Sequence, residues 1–285
     1  MNDYLLSILL GIIEGLTEFL PVSSTAHLRI CEALLHIDLE DGFWKMYTIV
    51  IQLGAILALP VYFWHRIVQF VRTFPKGERG NRTILTHPLS LTLIAFVFTA
   101  VPAWALSKQI GKNLENLWVM ALALLIGGII MWIVDAVFTR PRTMDMEEMN
   151  LPQAVWIGAA QTLSAIFPGT SRSMCTIAAG QVAGMSRPAA LEFSFFLSMP
   201  TMFMATGYDF VKTVVPHHSS NIAPLTMSGH QWIVLGIGFV VSFLSALGVV
   251  AWFMHWVRHR GFVPFAIYRI VLGITLLILL MRGLM

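Results

Sequence analysis

Glu14-Gly15-Leu16-Thr17-Glu18-Phe19-Leu20-Pro21-Val22-Ser23-Ser24-Thr25-Ala26-His27 interrupts an apolar run that starts at Tyr4. Proline has no amide hydrogen and clashes with the carbonyl one turn back, so it ends or kinks a helix. Residues 4–20 and 24–35 therefore form two helical pieces separated by a polar turn. A full bilayer crossing needs about 20 apolar residues, and neither piece suits one. The same pattern recurs later: 151–167 run into Pro168, and Gly169-Thr170-Ser171-Arg172-Ser173 leads into 171–184. Two helical hairpins, each entering and leaving a membrane on one side, account for both stretches.

The rest of the chain supports a membrane. Of 285 residues 57% are hydrophobic and 12% charged, against about 25% charged in soluble domains. Such a chain could not hide its apolar surface from water as one globule. Six further segments are suited to spans: 43–64, 89–106, 117–138, 188–212, 231–256 and 263–282. The net charge of +3 is small, and the basic residues sit in short loops rather than in a stripe, which argues against nucleic acid. Cys31 and Cys175 lie in apolar stretches with no sequence neighbour to pair with, so neither a disulfide framework nor a zinc site is expected. No cleavable signal peptide is expected either, since Met1-Asn2-Asp3 lacks a basic region.

Loop charges give the orientation. Arg66, Arg72, Lys76, Arg79, Arg82, Arg140, Arg142, Arg258 and Arg260 fall in loops 65–88, 139–150 and 257–262. Loops 36–42, 107–116 and 213–230 hold only Lys108 and Lys112. This positive-inside bias holds only if both hairpins return to their own side. It puts both termini outside, the first hairpin entering from outside and the second from the cytoplasm. The halves also align: Gly11, Glu14, Leu16, Pro21, Ser23 and Ser24 match Gly158, Gln161, Leu163, Pro168, Thr170 and Ser171 at one offset, and Ile51-Gln52-Leu53-Gly54 meets Leu197-Ser198-Met199-Pro200 after a one-residue slip. The expected fold is an all-α polytopic membrane protein of one domain. It comprises two inverted-topology repeats, 1–138 and 151–285, each one hairpin plus three spans. Inverted repeats usually place a site near the midplane, where broken helices meet.

Glu14 and Glu18 are four apart and share a helix face. Two like charges in an apolar segment are costly to desolvate. A hard divalent cation would relieve them, and Mg²⁺ takes one or two carboxylates plus phosphate and water; the plainer alternative is a carboxylate pair facing a water-filled cleft. Ser23, Ser24 and Thr25 could cap the next half-helix, whose N-terminus attracts anions, but capping explains one hydroxyl and not three. His27 follows in the first turn. A lone membrane histidine often only packs, but beside two carboxylates and three hydroxyls a catalytic role is favoured. In the second hairpin, Gly169, Thr170, Ser171, Arg172 and Ser173 make a phosphate cradle, with arginine offering a fork of donors that matches phosphate oxygens. The structural alternative pairs Arg172 with Asp135 or Glu192. Gly11 and Gly15 form a small-xxx-small pair suited to close helix packing. His217, His218 and His230 lie in an outside loop and are expected to be solvated.

At these hairpins the sequence resembles the undecaprenyl-diphosphate phosphatase family, also known for bacitracin resistance. The signatures are Glu14-x-x-x-Glu18 running into Pro21-Val-Ser-Ser-Thr-Ala-His27, and Pro168-Gly-Thr-Ser-Arg172-Ser173; Ser186-Arg187 and Glu192-Phe193-Ser194-Phe195 match a third stretch. The resemblance covers essentially the whole chain. It implies hydrolysis of undecaprenyl diphosphate to undecaprenyl phosphate in a bacterial inner membrane, with a site facing the periplasm. It also implies dependence on Mg²⁺ or Ca²⁺, and resistance to bacitracin, which sequesters the substrate. The lipid bilayer is then a partner, and a homodimer is compatible. The residues carried over are Glu14, Glu18, Ser23, Ser24, Thr25, His27, Ser171, Arg172 and Ser173. Glu14 and Glu18 would hold the metal. The nucleophile stays open between a hydroxyl, His27 and metal-activated water, with Ser24 activated by His27 preferred. A lipid-phosphate flippase or small-anion transporter is the rival class, because broken helices and inverted repeats are transporter features. Lipid phosphatases of the acid-phosphatase type are excluded by the absence of Pro-Ser-Gly-His.

Overall fold

A computed structural model of the chain describes residues 2–35, 37, 42–78, 80–113, 116–214 and 227–283. His217 and His218 lie outside the described residues. Twelve α-helices are described: α1 (Asp3–Thr17), α2 (Ser24–Leu34), α3 (Gly42–Tyr62), α4 (Trp64–Thr73), α5 (Pro88–Ala105), α6 (Ser107–Asn113), α7 (Leu117–Val137), α8 (Leu151–Ile166), α9 (Arg172–Val182), α10 (Arg187–Val214), α11 (Gly229–His259) and α12 (Val263–Met281). Among the described residues there is no strand, only an isolated bridge between Thr143 and Met185. Six helices, α3, α5, α7, α10, α11 and α12, are long and apolar enough to cross a membrane, and they coincide with the six expected spans to within a few residues. Segments 65–88 and 107–116, expected as loops, are partly helical: α4 and α6 occupy part of each. In α4 the charge and aliphatic stem of Arg66 lie over the Phe70 ring, 4.8 Å from its centroid, as long basic side chains do at an apolar boundary.

Local signals set the helix starts. Asn2 Oδ1 accepts from the Tyr4 amide at 3.0 Å. Asn150 with Gln153 and Ser228 with Gln231 form reciprocal capping boxes at α8 and α11, which satisfy amides that have no partner within the helix. Each hairpin folds back on itself. Tyr4, Leu6 and Leu10 of α1 share an apolar cluster with Leu28, Cys31 and Leu35 at the far end of the pair. Gln153 Nε2 donates to Ala183 O at 3.0 Å, and the Arg142 amide donates to Gly184 O at 2.7 Å, so α8 begins where α9 ends.

Small residues let the first arm of each hairpin lie close to a span. A Cβ on Gly15 would come 2.5 Å from Ser242 O of α11, and one on Gly158 would overlap Ala95 O of α5. Gly11 and Gly15 thus serve close helix packing, as expected. The buried positions of α1 (6, 7, 10, 11, 14 and 15) recur at 153, 154, 157, 158, 161 and 162 of α8, a constant 147 residues on. The second arms follow a different offset. Ser23 and Ser171 are the N-caps of α2 and α9, 148 residues apart. Each has a positive φ, 74° and 71°, and they are the only non-glycine residues described that do. The single-offset alignment is therefore corrected: the second break contains one extra residue, Ser171 corresponds to Ser23, and Arg172 corresponds to Ser24.

Two ion-pair groups tie the helices at the end away from the N-terminus. Asp135 of α7, 3% exposed, accepts from Arg187 Nε at 2.6 Å and from the Phe262 amide at 2.9 Å. Arg66 bridges Glu192 at 2.9 Å and Glu147 at 2.5 Å. The core lies between the hairpins and α10, where Phe19, Phe63, Phe193, Phe195 and Phe253 are buried together.

Candidate active site

The two hairpin breaks meet. Ser173 Oγ donates to Leu20 O at 3.0 Å, and Arg172 Nη2 donates to Glu18 Oε1 at 3.2 Å. The Glu18 and Arg172 side chains are 4% and 10% exposed, so the pair is held almost without water. Burial of this kind strengthens the attraction but makes each charge depend on its partner. Glu18 Oε2 accepts from Ser24 Oγ at 2.6 Å. A carboxylate, a hydroxyl and a guanidinium from two hairpins are thus linked in one chain.

Open valences lie beside that chain, at Glu14 next to Glu18, and at its Arg172 end. Among the described residues neither oxygen of the Glu14 carboxyl, 1% exposed, has a donor group facing it, its neighbour being the Glu18 carboxyl, and neither Nε nor Nη1 of Arg172 has an acceptor. Buried polar atoms are ordinarily satisfied, and exceptions call for a reason. Orphaned acceptors at Glu14 suit a cation, while orphaned donors at Arg172 suit an anion. Among the described residues no three histidine, cysteine or acidic side chains converge on one point, so Glu14 and Glu18 would leave most of a cation's coordination to phosphate and water, as Mg²⁺ prefers. Each Glu18 oxygen already accepts one hydrogen bond from protein, whereas both Glu14 oxygens are free; the donor set fits a cation chiefly through Glu14. The alternative partners of Arg172 are taken, Asp135 by Arg187 and Glu192 by Arg66.

The remaining expected residues divide. Ser23 Oγ accepts from the Ala26 amide and Ser171 Oγ from the Met174 amide, both at 3.4 Å, so these two serve as caps. Ser171 Oγ also lies 3.1 Å from Ser173 Oγ. Thr25 is exposed, and Thr170 Oγ1 donates back to Phe167 O at 2.7 Å within its own turn, so neither joins the linked chain. Gly169, at φ 92°, lies so close to α7 that a Cβ would come 2.6 Å from Met120 O. His27 is not bonded to Ser24. Its Nδ1 lies 2.7 Å from Ser23 O and its Nε2 2.5 Å from Tyr268 Oη. A carbonyl can only accept, so Nδ1 carries the proton, and the neutral ring accepts at Nε2 from the tyrosine hydroxyl. Glu18 therefore holds the position beside Ser24 that was expected for His27.

A profile of the family described as bacitracin resistance protein BacA matches residues 7–275. The chain belongs to this family. Among curated relatives of the BacA family, the undecaprenyl-diphosphatase of Koribacter versatilis (strain Ellin345) is 65% identical, over 97% of this chain and 98% of its own. The protein of the same name from Bradyrhizobium diazoefficiens is 41% identical over 99% and 100%, and that from Caldanaerobacter subterraneus subsp. tengcongensis 39% identical over 95% and 94%.

Two further residues of α12 adjoin the site in this BacA-family chain: Arg269, which sequence marks only as one of several polar residues in or near spans, some of which should line the site, and Tyr268, to which sequence assigns no role. Arg269 is fully buried; its Nη1 donates to Pro21 O at 3.2 Å, and its Nη2 to Gly169 O and Ala123 O at 3.1 Å each. The one available signal is an arginine in the middle of an otherwise apolar span, which marks a functional position by default.

Proposed function

We propose that the chain is an undecaprenyl-diphosphatase: it hydrolyses undecaprenyl diphosphate to undecaprenyl phosphate, with the lipid tail between the spans and the diphosphate at the meeting point of the two hairpins. The observation that carries this is the Arg172–Glu18–Ser24 chain, which has free donors on Arg172 at one end and the buried Glu14 carboxyl beside its central Glu18. It is joined by membership of a family whose curated members carry that name over their whole length. The activity recycles the lipid carrier for cell-wall synthesis and accounts for resistance to bacitracin, which sequesters the same lipid.

Arg172 presents Nε and Nη1 to the phosphoryl oxygens. A preorganised buried guanidinium stabilises charge on a transferring phosphoryl group better than water can. Ser24 Oγ attacks the terminal phosphorus while Glu18, already accepting its hydrogen bond at 2.6 Å, takes the proton. The anhydride P–O bond breaks to release undecaprenyl phosphate, and water then hydrolyses the phosphoserine to free phosphate as Glu18 returns the proton to Ser24 Oγ. His27, held in one tautomer by Ser23 O, follows Ser24 by one turn of α2, and its Nε2 could take a proton when Tyr268 releases it. Mg²⁺ or Ca²⁺, held chiefly by Glu14, would neutralise diphosphate charge.

The bilayer placement is part of the same proposal. Hairpins that return to their own side satisfy the loop-charge bias and put both termini outside, which, together with the outward-facing site that the family resemblance implies, supports a site open to the periplasmic face of a bacterial inner membrane. Support for inverted repeats 1–138 and 151–285 comes from matched partners: α1 packs on α11 while α8 packs on α5, and α7 pairs with α12. Each of these contacts maps onto another, or onto itself, when the halves are exchanged. A homodimer is compatible with this arrangement.

The test is phosphate release from undecaprenyl diphosphate by purified protein in detergent, with and without EDTA. Release that stops with EDTA and returns with Mg²⁺ or Ca²⁺ is expected. No release from folded, metal-supplied protein overturns the proposal and turns attention to transport.

A further inference from the structure

We infer that Arg269 is a positioning residue for the reaction: it grips the equivalent carbonyl in each hairpin break and so fixes the distance between Ser24 and Arg172. This rests on the phosphatase assignment above. By the corrected offset of 148, Pro21 corresponds to Gly169, and each stands three residues before the group it delivers, Ser24 and Arg172 respectively. Arg269 Nη1 holds the first carbonyl at 3.2 Å and Nη2 the second at 3.1 Å, with Ala123 O of α7 as the fixed third point at 3.1 Å. The guanidinium is rigid and planar, so two carbonyls bound to it are held at a set separation.

Stability alone does not explain this residue. Arg269 is 0% exposed and is the largest fully buried side chain described, its Nε has no partner, and no carboxylate lies within ion-pairing distance of it among the described residues. Burying a charge against carbonyl dipoles only is unfavourable relative to apolar packing. Space has also been made for it. A Cβ on Gly127 of α7 would overlap Nη2, and one on Gly128 would come 3.1 Å from its own Cβ. Local rules broken in this way mark functional positions. A shift of about 1 Å between reacting groups can cost about a hundredfold in rate, and Arg269 is the shared brace that prevents such a shift.

The test measures kcat and KM for undecaprenyl diphosphate, with thermal stability followed in parallel, in Arg269→Gln, Gly127→Ala and the double variant. Arg269→Gln should lower kcat about a hundredfold while KM changes less than about threefold. Gly127→Ala, which leaves the arginine in place but displaces Nη2, should lower kcat about tenfold or more. In the Arg269→Gln background the same change should cost under about threefold, because Nη2 is gone and the other close atom, Met174 Cε at 2.8 Å, is the end of a flexible side chain that can move aside; such non-additivity marks a shared mechanism. Additive losses overturn the inference. So does a kcat within twofold of the unmodified protein in folded Gly127→Ala, whether or not Arg269→Gln folds. An inactive unmodified protein would instead indict the phosphatase assignment itself.

Discussion

At the first break a serine in a left-handed conformation precedes Ser24, and the arm behind it carries Glu14 and Glu18. At the second, a serine in the same conformation precedes Arg172, and the arm behind it carries Gln161 where the first has Glu14. The backbone device is duplicated and the chemistry is divided. One hairpin brings carboxylates, a hydroxyl and a histidine; the other brings a guanidinium. The comparison teaches why the site is shared: neither set is tolerable alone in a low-dielectric interior, and the Glu18–Arg172 contact at 3.2 Å lets each compensate the other.

Arg172→Ala breaks that compensation from the anion-binding side and should have the largest effect. Phosphate release should fall by about a thousandfold or more, the range for arginines that neutralise a transferring phosphoryl group, corresponding to about 4 kcal/mol of transition-state stabilisation. Normal turnover in a folded variant would remove Arg172 from the mechanism. On the acidic side, neighbouring hydroxyls offer an internal control. Ser24→Ala should reduce kcat by at least about a hundredfold, whereas Thr25→Ala, whose side chain is exposed, should stay within about twofold. Equal losses would mean that the hydroxyls act as a group rather than through the Glu18 hydrogen bond.

Stability should respond in the opposite sense at the matched positions 14 and 161. Glu14→Gln replaces a buried carboxyl packed beside Glu18 with a neutral amide of the same shape. In EDTA it should raise the melting temperature by the equivalent of roughly 1–2 kcal/mol while abolishing the response to divalent cations. Gln161→Glu creates a buried carboxylate without a counter-charge; Gln161 is 1% exposed and Nε2 donates only to Thr201 Oγ1. It should cost roughly 2–4 kcal/mol. A destabilised Glu14→Gln protein in EDTA would show that Glu14 is satisfied without a cation.

The spans were legible because length and apolarity are one-dimensional properties, and the hairpins because proline beside a polar turn breaks a helix wherever it falls. The candidate set was legible as composition: Glu14, Glu18, Ser24 and Arg172 are polar where the membrane penalises polarity. Their pairing was not. His27 is three residues from Ser24, yet its ring nitrogens face Ser23 O and Tyr268, 241 residues away in sequence. Such contacts depend on how α12 packs against α2, which no local pattern encodes. The extra residue in the second break was hidden for a similar reason: the matching letters of Pro21 and Pro168 suggest an offset of 147, whereas counted from the caps Ser23 and Ser171 it is Gly169 that corresponds to Pro21. Arg269 stood out as a charge in a span, but its role depends on two carbonyls that carry no side-chain signature.

The smallest effect tests the comparison most directly. Ser23 and Ser171 each hold a positive φ that costs a non-glycine residue about 1 kcal/mol, and each offsets part of this by capping a half-helix. Glycine adopts that φ freely and as a cap is only a few tenths of a kcal/mol worse than serine. Ser23→Gly and Ser171→Gly should therefore each stabilise the protein by about 0.5 kcal/mol, a rise on the order of 1–2 °C in melting temperature. The gain at Ser171 should be the smaller, because its Oγ also touches Ser173 Oγ at 3.1 Å. Alanine at either position keeps the strain and loses the cap, and should cost about 1 kcal/mol. Matching signs at the two serines would establish that the backbones are energetically equivalent and that only the side chains have diverged. A gain at one break and a loss at the other would mean that one of the two serines contributes through its hydroxyl something beyond the cap, and the hairpin where that happens would be the one whose backbone is tuned for chemistry.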